Sequence, residues 1–505
     1  MLSEQEKLRR SKAAALRGMG HDPYPSGSFE TSASAQEVLD HYRQDTSQFD
    51  KVVLCGRIMA RRIMGAAAFA TLQDKSGRIQ LYLHRDTLCP EQDKADYDTV
   101  FKKLIDIGDI VRVEGTVFLT RTDTISVQVN ALTLLSKALK PLPVVKETIV
   151  EGVARSHDTF SDPEQRYRQR YVDLILNGQT RSVFAHRARI IQTLRAFFDK
   201  MGCLEVETPS LQPIYGGATA RPFTTYHNAL DTTLYLRISN ELYLKRLIVG
   251  GLEGVYEIGK SFRNEGMSRF HNPEFTMLEA YVAYRDHRWM MHQTEAMFEQ
   301  VALDLWDSPR VKLGEHTLSF ERPWKQYTMY EAIEAFTHVN VQGMDRETLY
   351  KKALELGVPV DASMGKGKLI DEIFGRCCEP HLIQPTFITD YPIETSPLAK
   401  RNPNNPALVE RFEVICGGKE LCNAFSELND PEEQRSRFEN QVKLRQQGDA
   451  EAMPLDEDYL RALSYGMPPT VGLGIGIDRL VMVMTGVASI QDVIFFPQMR
   501  PEKFT

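Results

Sequence analysis

Cysteine is scarce in this chain. Seven occur among 505 residues, odd in number and scattered at Cys55, Cys89, Cys203, Cys377, Cys378, Cys416 and Cys422. No CxxC spacing occurs, so neither a zinc knuckle nor a disulfide framework is favoured, and a reducing compartment fits. Long hydrophobic runs are missing as well. The N-terminal stretch reaches only Ala13 to Leu16 without a polar residue, which is no secretory h-region. The most apolar segment, Val471 to Ile490, is broken by Asp478 and Arg479 and makes a poor membrane span. Nor does one sign of charge dominate. Lys and Arg number 61 against 68 Asp and Glu, a formal charge of −7. That excludes a uniformly basic nucleic-acid coat but leaves room for a local basic face. Internal repeats and low-complexity tracts are absent. A composition 42% hydrophobic and 26% charged excludes wholesale disorder. The expectation is a soluble, cytoplasmic protein of roughly two to four domains with no membrane partner.

What is present is periodic. Ser3 with Glu6 three residues later forms a capping box, and Gly18 and Gly20 end the segment. The pattern predicts a short helix with Lys7, Arg9, Arg10, Lys12 and Arg17 on a solvated face. Beyond a turn-rich stretch, Asp22 to Ser34, the period changes to two. Val52–Met59, Ala67–Leu72, Arg78–Leu83, Ile110–Phe118 and Thr124–Leu134 read as five strands, with a helical stretch near Asp96 to Leu104 after the third. That order is expected of an OB-fold, a frequent binder of single-stranded nucleic acid. Pro141 and Pro143 close the unit, and Lys146 to Pro163 reads as a linker. After Arg166 helices and short strands alternate. Arg181 to Met201 is strongly helical and ends at Gly202, and 286–383 reads as a helical insertion between two motif-dense blocks.

The dense blocks are SFRNEGMSRFHNPEFTMLEAYVAY (Ser261 to Tyr284), RFEVICGGKELCNAFSELND (Arg411 to Asp430) and GLGIGIDRLVM (Gly472 to Met482). GLGIGID has GxGxG spacing, not the GxGxxG of a dinucleotide fold. Generic templates lead no further than a phosphate-handling α/β enzyme. Specific motifs lead further. FRNEG followed by HNPEFTMLE resembles motif 2 of the class II aminoacyl-tRNA synthetases, GLGIGIDR resembles motif 3, and CLEVETP (Cys203 to Pro209) resembles motif 1. RYRQRYVDL (Arg166 to Leu174), GGKELCNAFSELND and the N-terminal barrel are similar to the lysine, aspartate and asparagine subgroup, above all to its bacterial lysyl members.

The resemblance implies an α+β chain in which a five-stranded OB-fold barrel precedes a class II catalytic domain, a six-stranded antiparallel sheet with flanking helices. Residues 1–48 would be an N-terminal helix and linker, 49–143 the anticodon-binding barrel, 144–165 a linker, and 166–505 the catalytic domain with its insertion. It implies a homodimer with motif 1 at the interface, the structural alternative for Cys203–Pro209 being a plain edge strand stopped by proline. The implied activity is ATP-dependent attachment of L-lysine to tRNA(Lys) through lysyl-adenylate, with Mg2+ as cofactor. Two other readings are a non-catalytic tRNA-binding paralogue and a paralogue that lysylates a protein. The first is disfavoured by the presence of Arg263, Glu265, Glu413, Glu420 and Arg479, the second by the complete barrel.

The site residues implied are suited to the chemistry. Activation needs a carboxylate to attack the α-phosphorus of ATP in line, so the protein must position two anions and neutralise charge. The guanidinium fork of Arg263 can hold carboxylate and phosphate oxygens together, its alternative being an ion pair with Glu265. By resemblance His271, Asn272 and Phe275 clamp the nucleotide, Phe275 stacking on adenine with Arg479 on the other face. Glu413 and Glu420, astride the Gly417–Gly418 turn, would hold magnesium that ATP phosphates complete. Glu241 resembles the acceptor of the substrate α-amino group, with Gly217 and Gly474 nearby. Glu279 and Glu427, with Tyr281, Asn423 and Phe425, resemble the side-chain pocket. An ammonium taken out of water needs paired anions, so two carboxylates read as a lysine pocket. Departures from the family pattern stand at Asn240, where proline is frequent, and Gly254, where arginine is usual. In the barrel, Arg61, Phe69 and Gln80 resemble readers of a U-rich anticodon. The glutamate frequent late in the fifth strand is missing from Val129-Asn130-Ala131-Leu132. Asn130 would need a bulge to take its place, so discrimination at the central base is expected to rest on Phe69 and Gln80.

Overall fold

A computed structural model describes residues 2–143, 146–150, 153–157, 160–448 and 451–502. It divides into two compact units, Met1–Asp162 and Pro163–Thr505.

The first unit opens with helix α1 (Glu4–Gly18), whose Ser3–Glu6 capping box is formed in both directions. Its basic face is not simply solvated, contrary to expectation. Arg9 donates to the carbonyls of Ile107 and Ala138 at 2.9 Å each, and Lys12 pairs with Asp106 at 2.6 Å. Leu16 on the same helix is buried in the barrel's apolar cluster. Strands β1 (Val52–Met64), β2 (Ala67–Gln73), β3 (Arg78–His84), β4 (Ile110–Leu119) and β5 (Ile125–Ser136) close into a barrel in the order β1-β2-β3-β5-β4. The helical segment Asp96–Leu104 lies between β3 and β4, as the periodicity predicts. β1 runs past its expected end because a bulge after Ile58 resets its register on β2. Gly115 faces β5 so closely that a Cβ there would lie 2.1 Å from the Gln128 carbonyl oxygen. The expected linker carries an antiparallel pair, Lys146–Val150 with Val153–His157. Residues 144–145, 151–152 and 158–159 of that linker lie outside the described residues.

The second unit is built on one sheet. β6 (Leu204–Glu205), β7 (Gly254–Phe262), β8 (Glu274–Ala283), β9 (Lys325–Thr328), β10 (Thr386–Pro392), β11 (Leu408–Cys416), β12 (Lys419–Ser426) and β13 (Thr470–Gly476) lie in the order β9-β10-β11-β12-β13-β8-β7-β6. The six central strands are antiparallel, as implied by the motifs. Each edge adds a short parallel strand, so the sheet has eight strands. Motif 1 supplies one of these edges. Side chains alternate across the sheet. Leu278, Val414, Cys422, Ala424 and Ile475 pack on helices α2 (Gly178–Lys200), α4 (His287–Trp306) and α5 (Ile477–Thr485). The opposite side carries the residues described below, together with helix α3 (Glu241–Val249).

The segment 286–383 is not wholly helical. After α4, a hairpin of Arg310–Leu313 and His316–Ser319 and then β9 interrupt it before three helices follow. Those helices share a core with Ile388 and Tyr391 of β10, so the insertion extends the catalytic unit's own core.

One buried ion network ties the base of the barrel. Lys137 Nζ lies 2.6 Å from Asp106, 2.7 Å from Asp109 and 2.6 Å from the Leu104 carbonyl. Removing one partner of such a network strands the others without charge compensation. Lys137→Met is expected to destabilise the first unit by about 3–5 kcal/mol, measurable as an earlier urea transition. An unchanged midpoint would refute this role.

Candidate active site

Three strands meet where the site lies. Glu279 and Tyr281 of β8 stand opposite Gly474 and Gly472 of β13, which in turn face Asn423 and Phe425 of β12. A Cβ on Gly472 would lie 2.1 Å from Glu427 Oε1 and 2.5 Å from the Tyr281 ring, so only glycine leaves this floor open. Above it is a cavity of about 380 Å³. Gly217, Glu241, Arg263, Glu265, His271, Asn272, Phe275, Glu279, Tyr281, Glu413, Glu420, Asn423, Phe425, Glu427, Gly474 and Arg479 all line it. The structure thus brings together every residue expected in the catalytic unit.

One end is anionic. Glu279 accepts hydrogen bonds from Ser239 Oγ at 2.9 Å, the Asn240 backbone N–H at 3.1 Å and Tyr281 Oη at 3.2 Å. Burial, reinforced by Glu241, pushes its acid group up to about 7. Glu241 begins α3, and its N–H donates to Ser239 Oγ at 3.1 Å. One turn further along α3, Lys245 places Nζ 2.6 Å from Glu241 Oε1 and also pairs with Glu427. Beyond that ion pair the Glu427 oxygens have no hydrogen-bond partner among the described residues. Sequence reasoning missed Lys245; its four-residue spacing from Glu241 was the available signal.

The other end is cationic. The chain between β7 and β8 folds back, with Arg263 N–H donating to the Pro273 carbonyl at 2.9 Å. The Arg263 guanidinium lies 5.1 Å from the centre of the Phe275 ring, and its buried Nε has no partner among the described residues. It forms no ion pair with Glu265, the alternative the sequence left open. Arg479 donates to the Glu420 carbonyl at 3.0 Å, meets its carboxylate at 3.2 Å, and lies 3.2 Å from His271 Nε2. Burial and the neighbouring Arg479 lower the His271 pKa, favouring neutral imidazole. Asn272 bridges the loop, donating to the Glu274 carbonyl at 2.6 Å. Asp478, which reads in the sequence only as a break in an apolar run, anchors the start of α5. It accepts from Thr276 N–H and from Arg187, each at 2.7 Å.

Glu413 and Glu420 line the same cavity, Glu420 against Arg479. Strict alternation from Asn423 and Phe425 would turn Leu421 and not Glu420 to their face. A register shift opposite Val414 and Ile415 brings Glu420 round beside Glu413. Burial and the Glu420 charge push the Glu413 acid group up to about 8, despite Arg411 at 2.5 Å. Sequence reasoning counted no GxxxxGK[ST] in the chain, yet GVYEIGKS (Gly254 to Ser261) has that phosphate-loop spacing. It lies wholly within β7, paired residue by residue with β8, so its backbone is committed to the sheet and forms no phosphate cradle.

In the first unit, Phe69 is half-buried on the outside of the barrel and not in its core. Its ring lies 5.2 Å from Tyr82, which lies 5.8 Å from Phe118. Gln80 is two residues from Tyr82 on the same face and accepts from Ser126 Oγ at 2.8 Å. Arg61 does not join them. It pairs in register with inward-facing Ala70, and its guanidinium donates to the Phe101 carbonyl at 2.8 Å. Arg62, exposed and opposite Phe69, stands on the aromatic face instead. A bulge is present at Asn130: Gly115 pairs with Val129 and Glu114 with Ala131. Asn130 and Ala131 are both exposed there.

An open cavity lined by carboxylates and guanidinium groups, on the six antiparallel strands at the centre of the sheet, defines a class of enzyme. Residues 162–500 match the family model of tRNA synthetases class II (D, K and N), and the chain belongs to that family. Residues 52–135 match the OB-fold nucleic acid binding domain. Within the class the chain groups with the lysine–tRNA ligases. That of Porphyromonas gingivalis is 55% identical over 503 residues, covering 99% of this chain and 86% of the relative. Those of Christiangramia forsetii and Azobacteroides pseudotrichonymphae are each 53% identical over 502 residues, covering 87% and 99% of the relative.

The raised acid group of Glu279 has a consequence for stability. The folded state holds this proton more tightly than the unfolded chain, so ionising it as pH rises from about 4.5 to about 7 costs stability. Glu279→Gln is therefore expected to be more stable than wild type at pH 8, by about 3 kcal/mol at most, with no difference near pH 4. Chemical denaturation at both values tests it; a glutamine variant less stable at pH 8 would refute it.

Proposed function

We propose that this chain joins L-lysine to tRNA at the expense of ATP, through a lysyl-adenylate formed in the cavity. The observation that carries this reading is the meeting of Glu241, Glu279 and Glu427 at one end of a single cavity with Arg263 and Arg479 at the other. The anionic end suits the two ammonium groups of lysine: Glu241 takes the α-amino group, and Glu279 and Glu427, with Tyr281, Asn423 and Phe425, take the side chain. An aspartate or asparagine pocket would not bury three carboxylates against a single ammonium in this way.

At the cationic end Phe275 and Arg479 hold adenine between them, with His271, Asn272 and Glu265 around the nucleotide. Arg263 binds the lysine carboxylate and the α-phosphate together. A carboxylate oxygen then attacks phosphorus, and pyrophosphate leaves from the opposite side. The 3′-hydroxyl of the terminal tRNA ribose next attacks the acyl carbon, releasing AMP. Two close carboxylates, one pushed up to about 8, fit a divalent cation. Glu413 and Glu420 would hold Mg2+ with phosphate oxygens and water, and the metal would supply charge neutralisation on the phosphates. On the barrel, Phe69, Gln80 and Arg62 form the anticodon face, with Asn130 at its edge. Arg61 supports the barrel from within.

The protein acts in the cytoplasm as a homodimer joined through motif 1. Among the described residues no helix is long and apolar enough to cross a membrane, and Leu204 on the edge strand β6 is 54% exposed. A paralogue that lysylates protein would have no use for the barrel.

Pyrophosphate exchange across the standard amino acids tests the reading, with lysine expected to dominate. Arg263→Ala should lower lysine-dependent exchange by about 3 kcal/mol or more in transition-state stabilisation. Exchange within tenfold of wild type would remove Arg263 from the reaction. Phe69→Ala should weaken tRNA aminoacylation by about 1–3 kcal/mol and leave exchange without tRNA intact. Equal loss of both activities would make Phe69 structural.

A further inference from the structure

Lys245 is a buried charge that the reaction above does not use. It is 0% exposed, and its ammonium pairs with Glu241 from its own helix and with Glu427 from the end of β12. Ring faces of Phe425 and Tyr459 lie 5.5 and 5.9 Å away. The two carboxylates it pairs with line the cavity together with Glu279 and Tyr281 on β8 and Arg411 on β11, and Arg411 is itself paired with Glu413. Burial alone would strip the charge from a lysine, but two carboxylates more than offset it and raise the Lys245 pKa. Glu279 has no cation of its own: its partners are a hydroxyl, a backbone N–H and a phenol.

The charges can be counted. With Arg411 paired to Glu413, the three carboxylates and one ammonium leave two negative charges at this end of the cavity once Glu279 has ionised, which an arriving cation favours. L-Lysine brings two ammonium groups to this end and carries its carboxylate to Arg263. We propose that Lys245 is a positioning residue for substrate selection: it holds Glu241 and Glu427 apart with a cation between them, so that with Glu279 ionised the pocket carries the two charges a diamino substrate neutralises. This inference rests on the lysine reading above. Without Lys245, Glu241 and Glu427 would face each other in a site closed to water and would share a proton. The side-chain ammonium would then meet a neutral acid.

The test compares pyrophosphate exchange with lysine and with norleucine, which has the same carbon chain without the terminal amine. For Lys245→Met the lysine-to-norleucine ratio of kcat/KM should fall at least about tenfold, with KM for ATP within about twofold. Loss of packing alone would lower both substrates together and leave the ratio in place. The double variant Lys245→Met, Glu241→Gln restores the count of two charges and removes the facing of Glu241 and Glu427, leaving only Glu279 and Glu427 ionisable, so it covers the case in which the single variant fails to fold. Both amino acids share the α-amino group, so the double variant should bind both more weakly yet recover discrimination to within about threefold of wild type. Undiminished discrimination in the single variant, or none recovered in the double, overturns the inference. A wild-type enzyme without lysine-dependent exchange would instead sink the reading beneath it.

Discussion

A carboxylate withdrawn from water must be held by hydrogen bonds or by a counter-charge, and the catalytic unit is organised around that demand. Glu241, Glu279 and Glu427 are each less than a tenth exposed. Glu279 is held by neutral donors alone, at the price of an acid group that ionises only near pH 7. Glu241 and Glu427 are held by Lys245. The two devices differ in what they leave for a ligand. A carboxylate held by neutral donors gains most from an arriving cation, whereas one already paired is ready in charge and position. An ammonium entering between them meets both kinds, and a neutral side chain of equal length would leave Glu279 without compensation.

The sheet is what allows such charges to sit beside an apolar core. Alternation along β12 sends Cys422 and Ala424 to the helices and Asn423 and Phe425 to the cavity. One bulge breaks the rule, and it does so where the carboxylates Glu413 and Glu420 must share a face. Glycine at 472 removes a side chain from the middle strand, so residues on its two neighbours reach across it. The floor of the pocket therefore consists of backbone locked into a ladder on both sides. Such a floor cannot relax to shield an unpaired ion, and complementarity has to come from the side chains that ring it.

The sequence made the chemistry-bearing residues legible because their spacing is tied to strands and turns. FRNEG, GGKELCNAFSELND and GLGIGIDR each name a strand end or hairpin, and alternation then says which residues share a face. The barrel strands were readable for the same reason. Less readable was whatever depends on contacts between distant segments. Arg9 and Lys12 form a cationic helix face in any local reading, yet they dock on carbonyls and an aspartate about a hundred residues away. Arg61 and Arg62 are adjacent, and only the register against β2 decides which points outward. Lys245 sits in ELYLKRL as an ordinary helical ion pair with Glu241, and nothing local reveals that Glu427 closes on it. GVYEIGKS shows the limit of spacing alone: it has the pattern of a phosphate loop, yet its pairing with β8 makes it a strand.

The barrel faces a different problem from the cavity, because a chain of net charge −7 has to meet a polyanion. Its outer face answers with aromatic surface more than with charge. Phe69, Tyr82 and Phe118 form a contiguous patch of rings, flanked by Gln80 and exposed Arg62. Stacking on unpaired bases depends weakly on salt and not at all on the protein's overall charge, whereas phosphate contacts weaken as salt rises. A surface of this kind suits splayed-out loop bases better than duplex backbone. The amide of Gln80 accepts from Ser126 through its oxygen, so on the proposed reading its N–H groups would be the ones to meet a base edge. On the function proposed above, that division would leave recognition of bases to the aromatic face of one unit, and the handling of phosphate to the half-buried guanidinium groups of the other.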